Sequence, residues 1–193
     1  MYDDEFELTF DLSDEDEASW APEPEQEPVQ EAAPEPAAET EPQVEAVPEP
    51  AVPAANGRCV LISGGDRGIG AAAARAFWQA GYRVAVLYHT HAEAAAALEK
   101  ALPGLLAFQC DVASRASCEV AFHTVEQAVG HVDVLVSNAG IAQQKLFTDI
   151  TPEEWQHMLD VNLSGAFHLC QLALPGMIRR KAGRILTVSS MWG

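Results

Sequence analysis

"CVLISGGDRGIGAAAARAFW", residues 59–78, decides how this chain folds. Its first five residues are apolar up to Ser63 and show no polar alternation, so they read as a β-strand buried on both faces. Gly64, Gly68 and Gly70 then occupy a strand-to-helix turn, followed by an Ala-rich helix. Without Cβ atoms the backbone can turn tightly there and approach a pyrophosphate. The helix that follows offers free N–H groups and the positive end of its dipole. The spacing is G-x-x-x-G-x-G rather than the commoner G-x-G-x-x-G. Glycines often serve packing alone, but a buried strand before them and a helix after them point to a nucleotide site.

The same alternation continues outward. "RVAVLY" (83–88), "LLAFQC" (105–110), "VDVLVS" (132–137) and "RILTVS" (184–189) read as further doubly buried strands, with helical segments over 68–80, 92–102, 114–129 and 152–180. Strands alternating with helices predict an α/β fold, a doubly wound parallel sheet of five strands with helices on both sides. The last helix has a clear start: Thr151 can cap it, Pro152 suits its first position, and Glu154 completes a capping box. Trp155, Leu159, Ala166, Cys170 and Ala173 are expected to form its apolar stripe, and Pro175-Gly176 to kink or fray its end.

Charge divides the chain in two. The formal charge is −18, yet residues 1–56 carry 18 of the 29 Asp and Glu and none of the 11 Lys and Arg, so residues 57–193 are neutral. Nine of the 12 prolines fall between Pro22 and Pro53. Such a segment buries too little apolar surface to offset its ordering entropy, so 1–56 reads as a disordered acidic tail and linker, and 57–193 as the domain. Within the tail, "EFELTFDL" (5–12) alternates like a one-faced strand. A peptide docking on an unknown partner's sheet edge is the sharper reading, and a plain disordered tail the one adopted. The charge pattern disfavours nucleic acid and anionic membranes. Cys59, Cys110, Cys118 and Cys170 are scattered, form no zinc-site spacing, and read as core thiols in a reducing, cytoplasmic compartment. No metal site is expected. His89 and His91 form a loop His-x-His with no third ligand.

From about residue 58 onward the sequence resembles the short-chain dehydrogenase/reductase family. The resemblance rests on five motifs in order: Gly64–Gly70, "DV" at Asp111-Val112, "SNAG" at 137–140, "VNLSG" at 161–165, and "GRILTVSS" at 183–190. It implies a Rossmann-like sheet with Ser63, Gly64, Arg67, Gly68, Ile69, Gly70, His89, Asp111, Val112, Asn138, Ala139 and Gly140 around a nicotinamide dinucleotide. Asp111 would accept from the adenine amino group, and Asn138 to Gly140 would line the ribose and nicotinamide. A helix cap is the plain alternative for Asp111. Asp111, Asn138–Gly140 and Ser190 all fall at carboxyl ends of predicted strands, the ligand edge of an open α/β sheet. Two positions depart from the family. Ser stands at 63 and at 137 where Thr and Asn are usual. Ser63 keeps the hydroxyl, whereas Ser137 is shorter and stands to lose a contact.

An NAD site would place an acid roughly 20 residues beyond the glycines. Tyr88 and His89 stand there instead, and Arg67 lies in the glycine loop. Both features favour a 2′-phosphate, hence NADP(H) over NAD(H).

By the same resemblance Ser190 would hydrogen-bond a substrate carbonyl, and Asn162, expected to be a buried amide on the inner side of its helix, would hold a relay water. The family's remaining pair, a Tyr and a Lys four residues on, has no counterpart. None of Tyr2, Tyr82 and Tyr88 has Lys at the fourth position. The reading therefore expects a C-terminally truncated, incomplete sheet with an open edge at the fifth strand, inactive by itself. A longer form would be a homo-oligomer. In style the domain resembles 3-oxoacyl-acyl-carrier-protein reductases. "LPGMIRRKAGRILTVSSMWG" (174–193), with Trp192 beside the serines, resembles elongation factor P 5-aminopentanone reductases more narrowly. The substrate implied is a small-molecule, carrier-linked or protein-linked ketone. The competing class is a non-catalytic nucleotide- or partner-binding module.

Overall fold

The computed structural model describes residues 53–190. The alternating segment 5–12, most of the acidic linker and Trp192 lie outside the described residues.

Five parallel strands form one sheet in the order β3-β2-β1-β4-β5. They are β1 (Cys59–Ser63), β2 (Arg83–Tyr88), β3 (Leu106–Gln109), β4 (Val134–Ser137) and β5 (Arg184–Thr187). Val60 at the centre pairs with Val84 on one side and Val134 on the other. The helices are α1 (Gly68–Gln79), α2 (Ala92–Ala101), α3 (Arg115–Val129), α4 (Pro152–Leu159) and α5 (Gly165–Arg180). The two-residue period of the strands sorts the core into two layers. Val60, Ile62, Val84, Val86, Val134 and Val136 face α1 and α2, meeting Ala74, Trp78 and Leu98. Cys59, Leu61, Ala85, Leu87 and Leu135 face α3 and α5, meeting Phe122, Val125, Leu169 and Met177. This is the doubly wound architecture expected of strands with no polar face.

Burial of both faces holds for β1 and β4 and for the middle of β2, but not for the edges. β3 is half-buried and β5 mostly exposed, with Leu186 46% exposed. Each edge strand has one neighbour instead of two, so an apolar composition did not translate into burial.

The last helical segment corrects three expectations. A five-residue π-helical turn, Asp160–Ser164, separates α4 from α5. The extra residue per turn shifts the phase of the helix. From the turn onward the buried row is Val161, Gly165, Leu169, Ala173 and Met177, while Trp155, ahead of the turn on α4, is 55% exposed. Pro175 neither ends nor frays the helix, which continues to Arg180. Pro175 is exposed, so water can serve the carbonyl it orphans, and burial of Ala173 and Met177 holds the turn on either side. The end is pinned where the Arg180 guanidinium donates to the Val132 carbonyl at 2.8 Å. Finally, Asn162 sits on that π turn and is exposed rather than buried.

The capping box is present: the Thr151 hydroxyl accepts from the Glu154 N–H, and Glu154 accepts from the Thr151 N–H. At the linker's end Asn56 already belongs to the domain, since its N–H donates to the Gly81 carbonyl at 2.9 Å and its side chain to the Ala80 carbonyl at 2.8 Å.

Candidate functional site

The chain runs outward from β1 through β2 to β3, then returns to the other side for β4 and β5. This reversal opens a crevice at the carboxyl ends of β1 and β4. A cleft of about 360 Å³ lies there. It gathers Gly64, Arg67, Gly68 and Ile69 from the first loop, His89 from the end of β2, Asp111 and Val112 after β3, and Asn138 to Gly140 after β4. Ser63 and Gly70, the other two residues expected of a cofactor site, are buried beneath it.

The loop's shape is set by close packing. A Cβ on Gly70 would fall 2.1 Å from the Gly64 carbonyl oxygen and 2.7 Å from Asn138 Nδ2, so nothing larger than glycine fits. The Asn138 amide clips the turn, its Nδ2 donating to the carbonyls of Ser63 at 3.0 Å and Gly64 at 2.9 Å. The Ser63 hydroxyl accepts from the N–H groups of Asn138 and Ala139, each at 3.0 Å. The hydroxyl kept at position 63 thus ties β1 to β4. Ser137 is buried at 5% exposure.

Arg67 precedes α1 in extended conformation, and its side chain does not cap the helix. The first turn holds no acid. The helix end therefore presents its N–H groups and partial positive charge without a carboxylate in its own first turn, which suits an anionic phosphate. Asp111 does not cap α3; Ser114 does, accepting from the Ser117 N–H. Asp111 Oδ1 instead accepts from the Ala113 N–H at 3.0 Å, holding the loop open toward the cleft. The ring of His168 carries its proton on Nδ1 to donate to the Val112 carbonyl at 3.1 Å. A glycine loop with no room for a Cβ at Gly70, a helix whose first turn holds no acid, and a buried Asp66 carboxylate oxygen without a hydrogen-bond partner among the described residues all fit a dinucleotide.

A second hollow of about 860 Å³ shares Ile69 and Asn138 to Ile141 with the first and brings in Asn162 and Ser190. The two polar residues expected of the chemistry thus face one space beside the cofactor cleft. Asn162 grips Ile141 reciprocally: Oδ1 accepts from its N–H at 2.8 Å and Nδ2 donates to its carbonyl at 3.0 Å. Nδ2 also approaches the Met158 sulfur at 4.0 Å, and the further lone pair on Oδ1 leaves capacity for a water.

Cys110 lines the cleft with its sulfur 4.0 Å from that of Cys118. The Cys118 thiol holds Cys110 below the ordinary thiol range against the opposing effect of desolvation, and Cys118 is pushed up in turn by its bond to Cys110 and by burial. All four cysteines are free. Among the described residues no group of three or more His, Cys, Asp or Glu could hold a metal ion, and no helix is long and apolar enough to cross a membrane.

Sequence reasoning passed over Asp66 and Thr90 and weighed His91 only as a metal ligand; all three also line the cleft. Asp66 was visible between the glycines, but an isolated acid has no periodic signal, and its burial appears only once the loop folds over the end of β2.

Residues 58–193 match the family described as short chain dehydrogenase. Among curated relatives, an acetoacetyl-CoA reductase of Paracoccus denitrificans is 38% identical over 136 residues, covering 70% of this chain and 56% of that protein. The 3-oxoacyl-[acyl-carrier-protein] reductase MabA of Mycobacterium avium is 39% identical over 144 residues, covering 73% and 53%. The crystal structure of gox2181 superposes with a TM-score of 0.65 at 31% identity, over 69% of this chain and 54% of the other. The chain thus spans just over half the length of the relatives it matches.

Proposed function

The chain belongs to the short-chain dehydrogenase family, and from that premise we propose that it is the cofactor-binding part of an NADP(H)-dependent carbonyl reductase acting on a carrier-linked 3-oxoacyl group. The observation that carries the reading is the switch-point cleft, where the glycine loop and the β4 end are locked together around an uncapped helix terminus.

When bound, the nicotinamide group supplies or takes the hydride. The residues of this chain do the holding. The first turn of α1 receives the pyrophosphate, and Asp111 meets the adenine edge. Arg67 and His89 offset the charge of a 2′-phosphate. Ser190 hydrogen-bonds the carbonyl oxygen, and Asn162 keeps a water beside it. Two relatives named for reduction of CoA-linked and carrier-protein-linked ketones support the substrate class. The narrower resemblance to elongation factor P 5-aminopentanone reductases adds a protein-linked ketone to the substrates worth testing. Four free cysteines support a reducing, cytoplasmic setting. A longer form would assemble as a homo-oligomer.

The 193 residues contain no Tyr with Lys at the fourth following position. The expectation is binding without turnover. Titrating NADPH and NADH into the chain by fluorescence, then adding acetoacetyl-CoA and following absorbance at 340 nm, tests this. Tighter binding of NADPH with no ketone-dependent oxidation is expected. Failure to bind either nucleotide would sink the cofactor reading, and rapid turnover would sink the account of the missing acid.

A further inference from the structure

The end of β2 carries no acid for a ribose, yet an acid reaches the cleft by another route. Asp66, inside the glycine loop, is buried with its side chain 6% exposed, and it lines the cleft beside Arg67, His89 and Thr90. Its Oδ2 has no hydrogen-bond partner among the described residues. The nearest opposite charge would be on His91, whose Nδ1 lies 3.6 Å from Oδ2, beyond hydrogen-bonding reach, and 3.3 Å from the Thr90 hydroxyl. His91 is half-exposed. The contact with His91 is thus at most a long ion pair, and Oδ2 is left without a hydrogen bond among the described residues.

A buried carboxylate oxygen without a donor is costly, and native structures keep few of them. The donors a dinucleotide offers in a Rossmann-like cleft are its ribose hydroxyls, and its anionic groups are disfavoured next to a buried carboxylate that lacks a hydrogen bond. We propose that Asp66 reads the adenosine ribose of the cofactor, accepting a hydrogen bond from a free hydroxyl, and so keeps NAD(H) binding close to NADP(H) binding in a cleft otherwise built for the 2′-phosphate. This rests on the dinucleotide reading above and refines it. Arg67 and His89 favour the extra phosphate, Asp66 opposes it, and the preference that results is narrow. Asp66 is thus a specificity-determining residue lying about twenty residues upstream of where such an acid ordinarily stands.

The test is isothermal titration of NADH and NADPH into the full chain and into Asp66→Asn, with Asp66→Ser as a second variant should the first fold poorly. Loss of a charged acceptor weakens NADH roughly tenfold. NADPH affinity is expected to hold or rise, so the NADPH-to-NADH affinity ratio moves by about tenfold or more. An unchanged ratio, whether both affinities stay put or both fall together, overturns the assignment of Asp66 while leaving the dinucleotide reading intact. A wild-type chain that binds neither nucleotide overturns that reading itself.

Discussion

Two glycines of one loop should respond to alanine in different ways. At Gly70 the new Cβ would lie 2.1 Å from the Gly64 carbonyl oxygen and 2.9 Å from its carbon, both backbone atoms that cannot swing aside. Relief requires the loop to move by roughly 1.5 Å, to ordinary contact distance. That shift breaks the bond from Asn138 Nδ2 to the Gly64 carbonyl. Overpacking costs about 1–3 kcal/mol and the lost hydrogen bond about 1 kcal/mol, so Gly70→Ala should destabilise by about 2–4 kcal/mol. At Gly68 no atom lies within 4 Å of the Cβ position, and only the φ of +54° resists a side chain. Left-handed backbone costs an alanine about 1 kcal/mol. In a domain of this size each kcal/mol lowers the Tm by roughly 2–4 °C. Thermal melts followed by circular dichroism at 222 nm should therefore show a fall of roughly 5–15 °C for Gly70→Ala and roughly 2–4 °C for Gly68→Ala. Equal losses, or a larger loss at Gly68, would refute the argument that backbone approach rather than backbone conformation dictates glycine at position 70.

Three further outcomes are expected. Ser63→Ala leaves two backbone N–H groups unpaired beneath the cleft and should cost about 1–3 kcal/mol in guanidinium unfolding, whereas Ser63→Thr keeps the hydroxyl and should cost clearly less. Lys181 caps α5 in the left-handed region at φ 54°, so Lys181→Gly should raise stability by up to about 1 kcal/mol; a lowered Tm would contradict this. The Lys145 ammonium, and then the Thr151 N–H, hold the Glu154 carboxyl below its usual range. A carboxyl with a depressed folded value stabilises above its unfolded pKa of roughly 4.3 and loses that effect as pH falls through the folded value. The Tm gap between the wild type and Glu154→Gln should therefore be open at pH 7 and close on acidification; a gap independent of pH would contradict it.

Two of the three central strands were legible to the residue, whereas β4 begins at Val134, two residues into the expected run of 132–137. β1 and β2 begin and end where the apolar runs do, because a strand flanked on both sides has no polar positions to blur its limits. The edge strands look alike in sequence and differ in burial, since composition does not tell how many neighbours a strand has. The phase of the last helix was lost at the π turn. The expected stripe ran from Trp155 and Leu159 through Ala166 and Cys170, whereas beyond the turn Gly165, Leu169 and Met177 are the residues buried against the sheet. The same turn explains why Asn162 escaped burial: it lies where the helix is wound wide, facing the second hollow instead of the core. Asp66 was missed for the opposite reason, since its surroundings are made by the loop and the end of β2, which lie far apart in sequence.

The arrangement at the switch point also changes how Asn138 should be understood. The resemblance assigns it to the lining of the ribose and nicotinamide. Yet its Nδ2 serves the carbonyls of Ser63 and Gly64, so the amide's first task is to hold the glycine loop against β4. Gly70 must be glycine because that same carbonyl and that same amide occupy the place of its Cβ. Ser63, Gly64, Gly70 and Asn138 are therefore one mechanical unit, in which two hydrogen-bonding side chains fix a backbone curve and a missing Cβ makes room for it. It follows that the phosphate cradle depends on β4 as much as on the loop that forms it, and that a carboxylate at position 138, facing two carbonyl oxygens with no hydrogen to give, would distort the cradle without touching the cofactor.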